Sequence, residues 1–432
     1  MGPHDPILEI VGTLTLSLVL FLDAVNLQIT ELGRRWLVPV LVLGPGTALI
    51  IGLGALPLAL LLGFSWVLAF VGGAVLASTD PVVLREIVRD ERIPRSVRQI
   101  MKIEAGMNDL VVLPVILVLI AVAQAEVGNV AGWVGFMARL LLLGPLVGFV
   151  VGGLGSWLMA RADAYFRVRH EYQALYGVGM VLSAYTAATA VGGDGFLGAF
   201  AAGLAVVLLN QTLCDCFLEY GEVTAEMAML LTFVLCGVVL SGAFESVPVG
   251  PALILAGLVI FVIRPAILGL VLLPARMSRE AHAFISWFGP RGLNSLLLVL
   301  LVVQADVAGA EELLAAIGVV VLASVIVHGA TATPFSAWYG RRATQETLVE
   351  ERESTAAGLF DRAESEIPRI STAELQELLT SPQPPLVLDV RSRSSFDRDG
   401  ARIPGSVRVL PDRATEWAAK QHLDGLVVAY CT

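Results

Sequence analysis

From Ile7 to about Pro334 the chain runs in apolar stretches joined by short polar links. A stretch of about 20 such residues crosses the hydrocarbon core of a bilayer as one helix. The balance of residue types agrees: 56% are hydrophobic and 15% charged, with a mean hydropathy of +0.79, where soluble domains carry roughly 25% charged residues. From Arg341 onward Glu, Asp, Arg, Ser and Pro take over, and no run there is long enough to span. The chain thus divides into a transmembrane body over 1–337, a linker over 338–368 and a small domain over 369–432. Body and tail each hold more acidic than basic residues, within a net charge of −10, so no nucleic-acid partner is expected. Cys214, Cys216, Cys236 and Cys431 have neither the number nor the spacing of a disulfide framework or a zinc site. No secretory signal is evident, because Met1-Gly2-Pro3-His4-Asp5 lacks a basic start.

Eleven membrane segments are expected, at 7–27, 36–62, 64–84, 103–123, 132–160, 172–191, 195–210, 223–243, 249–273, 282–303 and 311–333. Alternating their ends sorts the loops by charge. One side receives Arg34, Arg35, Arg85, Arg89, Arg92, Arg95, Arg98, Lys102, Arg161, Arg167, Arg169, Arg276, Arg279, Arg341 and Arg342, and the short loops of the other side receive no Lys or Arg. The excess of Lys and Arg on cytoplasmic loops then predicts an N-terminus outside and a cytoplasmic tail, in the plasma (inner) membrane.

A charge inside a spanning helix costs about 2.5–3.5 kcal/mol on insertion scales, so each one needs a reason. The body has Asp23, Asp80, Glu104, Asp109, Arg139, Arg264 and Arg291. Arg139 and Asp23 are as well explained by pairing or by reach to a helix end as by function. Asp80 stands in Ser78-Thr79-Asp80-Pro81, where Pro81 removes a backbone donor and breaks the helix. The Thr79 hydroxyl and carbonyl and the Asp80 carboxylate are hard oxygen donors suited to an alkali cation. A second break is expected at Trp287-Phe288-Gly289-Pro290-Arg291-Gly292. Two Gly/Pro-broken helices, one in each half, are the pointer to a secondary transporter built from inverted repeats. In Lys102–Asp109, Glu104 and Asn108 share a helix face while Asp109 is turned by about 140° from Glu104. Arg264, before Pro265, is the expected partner of Glu104, since a buried guanidinium without a carboxylate is expensive. Asp109 is left as the carboxylate available to a cation or a proton.

Taken together, these pieces resemble the monovalent cation:proton antiporters of the sodium/proton exchanger type. The matching stretches are Ser78–Pro81, Arg92-Ile93-Pro94, Glu104–Asp109, Gly193–Phe200 with Ala201-Ala202-Gly203, Arg264-Pro265 and Trp287–Gly292. The resemblance implies an all-α polytopic fold of thirteen helices, a core domain moving against a dimerisation domain, and a homodimer in membrane lipid. It implies Na⁺ or K⁺ bound at Asp109 with help from Asn108, Thr79 and Asp80, and Glu104 and Arg264 as a core ion pair. Pro81, Gly289, Arg291 and Gly292 mark its discontinuous helices, and its Asn-Asp pair implies one-for-one exchange with H⁺. Ala105 replaces a Ser common in the family, which removes one oxygen from the site. Eleven segments rather than thirteen imply that two N-terminal helices are missing. No cofactor is implied, and a transporter rather than an enzyme is expected. The alternatives are a cation channel, or a membrane-anchored sulfurtransferase or sensor in a longer parent.

In the tail, Ser371 and Glu374 have the spacing of a capping box. Leu386–Arg391 and Leu426–Tyr430 read as strands, with Cys431 after the second. This α/β pattern resembles the start of a rhodanese domain, with Cys431 at its sulfur-carrying position and Arg402 where that family usually has His. The loop that would activate the cysteine is absent, so sulfurtransferase activity is not expected of this chain.

Overall fold

The computed structural model describes residues 2–26, 37–90, 92–124, 129–209, 211–243, 247–275, 277–345, 370–381, 384–419, 421 and 426–430. Cys431, most of the expected linker and the basic residues Arg34, Arg35 and Arg276 lie outside them. Helices dominate. In chain order they are α1 (Pro6–Val25), α2 (Leu37–Leu41), α3 (Thr47–Leu62), α4 (Trp66–Ala77), α5 (Pro81–Arg89), α6 (Arg95–Ala123), α7 (Val130–Ala138) and α8 (Gly144–Phe166). Then come α9 (His170–Ala190), α10 (Gly195–Leu209), α11 (Gln211–Ala243), α12 (Val249–Gly257), α13 (Arg264–Val271), α14 (Arg279–Trp287), α15 (Leu293–Gln304) and α16 (Ala310–Gln345). Among the described residues seven helical stretches are long and apolar enough to cross a membrane, and Trp66–Ala77, Gly195–Leu209 and Leu293–Gln304 are shorter apolar helices. With α9, they occupy all eleven expected segments.

Local chemistry explains where these helices start, widen and stop. Asp5 caps α1, accepting the Ile7 N–H at 3.0 Å, and Pro6 follows at the first helical position. Wide π-type turns at Val42–Gly46, Arg139–Leu143 and Leu258–Ile263 join α2 to α3, α7 to α8 and α12 to α13. Each contains or closely precedes a proline, respectively Pro45, Pro145 and Pro265. A proline cannot donate to the preceding turn and crowds its carbonyl, so the ladder opens there. The two expected breaks are present as non-helical Ser78–Asp80 and Phe288–Gly292.

The chain forms two compact units, Met1–Leu84 with Lys102–Leu272 and Ser286–Gly329, and Arg85–Met101 with Leu273–Ile285 and Ala330–Thr432. In the first, α1, α8, α9, α10 and α11 pack on one another, while α3 packs with α4, α12 and α13. Small residues permit the closest approaches. A Cβ on Gly144, Gly148 or Gly152 of α8 would overlap the backbone of Asp194, Gly198 or Ala202, the latter two on α10. This four-residue spacing of glycines is how apolar helices gain contact where lipid offers no hydrophobic drive. Gly148→Ala is therefore expected to destabilise the body by about 1–3 kcal/mol through overpacking, read as a lower thermal unfolding midpoint in detergent. Gly179→Ala on α9, where the added methyl meets nothing within 4 Å, serves as the control and leaves the midpoint unchanged or higher.

In the second unit, Arg92 pairs with Asp90 at 2.7 Å, and Arg98 donates to the Val88 carbonyl near the end of α5 and to the Ile93 carbonyl beyond it. Phe284 stacks edge-on against buried Tyr339. In the tail, Ser371 and Glu374 form the reciprocal capping box of a helix over Thr372–Leu379. Strands β1 (Leu386–Asp389), β2 (Val407–Arg408) and β3 (Val427–Tyr430) make a parallel sheet in the order β2-β1-β3. Buried Arg391 holds Asp389 at 2.7 Å and stacks over Phe396 and Tyr430. Burial alone would raise the Asp389 carboxyl, but hydrogen bonds from Arg391 and Tyr430 outweigh it and hold the group below the usual carboxylate range.

Candidate functional site

The two breaks meet. The Asp80 N–H donates to the Pro290 carbonyl at 2.9 Å, and the Asp80 Oδ2 accepts the Leu293 N–H at 2.7 Å. Asp80 thereby caps α15 from the other break, meeting one of the bare N–H groups that any helix start presents. Gly292 is required beside it, because a Cβ there would overlap the Asp80 carboxylate. Arg291 Nη1 donates to the Ser78 carbonyl at 3.1 Å, and the Arg291 N–H donates to Ser324 Oγ of α16 at 2.7 Å. His328, one turn later, faces the Trp287 and Ser324 carbonyls. Non-helical backbone at membrane depth is thus satisfied inside the protein, as a bilayer demands.

Asp109 of α6 is fully buried beneath this crossing. Its Oδ1 accepts Ser78 Oγ–H at 2.5 Å, and its Oδ2 accepts an Asn294 amide N–H at 2.7 Å. One hydrogen bond therefore comes from each broken helix, and none from a basic group among the described residues. Asn108 donates to the Ala77 carbonyl at 2.7 Å and to Thr79 Oγ1 at 3.2 Å. The amide oxygens of Asn108 and Asn294 are buried and have no hydrogen-bond partner among the described residues. Such acceptors are costly unless something electropositive reaches them. A carboxylate with two nearby orphaned amide oxygens is a donor set for an alkali cation, which is hard and takes oxygen ligands.

Glu104 lies on α6 as well, and its Oε1 is 2.6 Å from Arg264 Nη1. The same guanidinium donates through Nη2 to the Phe288 carbonyl at 2.8 Å. A Cβ on Gly289 would overlap it, so that glycine gives the arginine its room. Asp23 of α1 is buried, and the space above Gly106 of α6 ends on its carboxylate. Pro81 opens α5, directly after the first break.

The structure thus brings together Thr79, Asp80, Asn108 and Asp109 around one crossing, and Glu104 with Arg264 beside it. Asp80 is committed to the start of α15 through one oxygen rather than presented whole to a ligand. Ser78 and Asn294, the two direct partners of Asp109, were not singled out from the sequence as ligands. The signal for Asn294 was a lone amide, followed by Ser295, at the head of an otherwise apolar run immediately after the second break.

Residues 1–338 match the model of a family described as sodium/hydrogen exchanger, transmembrane. The K(+)/H(+) antiporter NhaP of Alkalimonas amylolytica is 26% identical over 334 residues, covering 76% of this chain and 57% of that protein. The Na(+)/H(+) antiporter NhaG of Bacillus atrophaeus is 26% identical over 325 residues, covering 71% of this chain and 60% of that one. The chain therefore spans little more than half the length of these curated relatives. Among solved structures, the sodium proton antiporter MjNhaP1 of Methanocaldococcus jannaschii at pH 8 superposes with a TM-score of 0.65 at 18% identity, over 77% of this chain and 86% of that one. That likeness carries the fold.

Proposed function

Because the chain belongs to the sodium/hydrogen exchanger family, we propose that this multi-pass membrane protein exchanges H⁺ for Na⁺ or K⁺ at Asp109. The observation that carries the reading is a fully buried carboxylate that, among the described residues, is bonded by the Ser78 hydroxyl and the Asn294 amide and by no basic group. A bare anion in that setting is expensive, so the site holds either a proton or a cation. Asn108 Oδ1 and Asn294 Oδ1, the orphaned acceptors, and Thr79 are the further oxygens offered to the cation.

Competition for one charge then couples the two fluxes. If the core reorients only when Asp109 is neutralised, each crossing carries one proton or one cation, and alternating access enforces exchange. The crossed breaks supply oriented backbone dipoles, and the Glu104–Arg264 pair holds the second break in place. The names of the relatives are those of antiporters, in keeping with a transporter rather than an enzyme. The reading extends to a homodimer with a cytoplasmic tail, and to division of the chain into a body over 1–337, a linker over 338–368 and a rhodanese-like segment from 369.

The experiment is proton movement in everted vesicles after additions of Na⁺, K⁺ or Li⁺. At least one of these cations is expected to release protons in proportion to cation uptake. Cation flux with no stoichiometric proton movement would instead make the chain a channel.

A further inference from the structure

A cavity of about 360 Å³ lies along α6, away from the crossing, lined among others by Leu117 and Ile120 of α6, Phe136 and Arg139 of the α7–α8 span, and Gly193 and Asp194 before α10. Leu117 is eight residues from Asp109, about 12 Å along the helix at 1.5 Å per residue, so this is a separate place. Its wall carries two opposite charges. Arg139 is exposed in the middle of an apolar span; its backbone N–H bonds back into α7, but among the described residues its side chain makes no ion pair or hydrogen bond. Asp194 is held in position because its Oδ1 caps α10, accepting the Leu197 N–H at 2.8 Å. Both groups line one cavity without bridging to each other.

We propose that this cavity binds the headgroup of a zwitterionic membrane lipid bearing phosphoethanolamine, with its phosphate on Arg139 and its ammonium on Asp194. The charge pattern selects the occupant. A free anion would be opposed by Asp194 and a free metal cation by Arg139, whereas a zwitterion satisfies both. A primary ammonium donates hydrogen bonds to a carboxylate, which a choline headgroup cannot do. The neighbouring surface suits acyl chains, since Leu117, Ile120 and Phe136 line the cavity and Val134, Leu141 and Leu142 stand exposed on the same span. An arginine at a lipid-facing position is expensive unless it reaches a partner or the interface, and a lipid phosphate is such a partner. A lipid seated here would touch α6, which carries Asp109, together with the π-type turn before α8 and the start of α10.

The test is native mass spectrometry of the whole chain in detergent, offered phosphatidylethanolamine, phosphatidylcholine and phosphatidylglycerol at equal concentration. Phosphatidylethanolamine is expected to be retained best, and Arg139→Gln to lower that retention about tenfold, a change of about 1.4 kcal/mol. Asp194→Asn, in which the new side chain still caps a helix, is expected to abolish the preference over phosphatidylglycerol while phosphate-dependent retention remains. Equal retention of the three lipids by the wild type, or unchanged retention in Arg139→Gln, overturns the site. Displacement of the lipid from the wild type by inorganic phosphate or soluble phosphoethanolamine overturns the lipid as its occupant. The wild-type arms decide the matter even where a variant does not fold.

Discussion

Asp109→Asn is expected to abolish cation-coupled proton movement, with a loss of at least about 100-fold, or about 2.7 kcal/mol. Asn has the shape of Asp, and burying it removes a charge from the interior, so the fold is expected to survive. What goes is the acidic group bonded by both Ser78 and Asn294. A neutral amide neither takes up a proton at ordinary pH nor balances a cation, so both partners of the exchange lose their place together. Asn294→Ala makes the contrast, because it removes one donor to the carboxylate and one of the orphaned oxygens but keeps the charge. Its expected effect is several-fold on the half-saturating cation concentration, with exchange retained. The readout is cation-induced proton release from vesicles, with gel filtration of each variant to confirm folding. Undiminished exchange in Asp109→Asn would remove Asp109 from the mechanism.

The charges were legible in the sequence because a bilayer makes them expensive. Asp80, Glu104, Asp109, Arg264 and Arg291 stand out from apolar runs, and Pro81, Gly289 and Pro290 mark where helices stop. The positions of the two breaks follow from backbone chemistry alone. That they cross does not, because the contact of Asp109 with Asn294 joins residues 185 apart, and topology rather than local pattern decides such a meeting. Neutral polar groups were harder still. Ser78 and Asn294 cost far less in a spanning run than a carboxylate does, so a hydropathy argument passes over them. The commitment of Asp80 to the start of α15 was also hidden, since the half-helix it caps lies far along the chain. Glycines 144, 148 and 152 carry no charge and no donor, and their meaning appears only when the backbone of α10 lies against them.

The Glu104–Arg264 pair is expected to give the largest stability effect, and an unequal one. Breaking a buried pair by removing one partner costs about 3–5 kcal/mol, because the other charge is left uncompensated. Here the two single losses are expected to differ, since buried Arg291 puts a second positive charge on the same break that Arg264 holds through the Phe288 carbonyl and beside Gly289. The Nε and Nη2 of Arg291 have no hydrogen-bond partner among the described residues. Removing Arg264 leaves Glu104 with one guanidinium still in range. Removing Glu104 takes away the carboxylate bonded to Arg264 and leaves both buried guanidiniums in place. Glu104→Leu is therefore expected at the upper end of that range and Arg264→Leu at the lower end. The double variant should fall below Glu104→Leu, because it discards one of the repelling cations together with the anion. Arg264→Leu also strips the Phe288 carbonyl of its donor at 2.8 Å, loosening the break that carries Asn294 toward Asp109. It should consequently weaken exchange more than its stability loss alone implies. Thermal unfolding midpoints in detergent for the three variants, set beside their exchange rates in vesicles, test the order. An Arg264→Leu protein less stable than Glu104→Leu would mean that Arg291 does not share the pair.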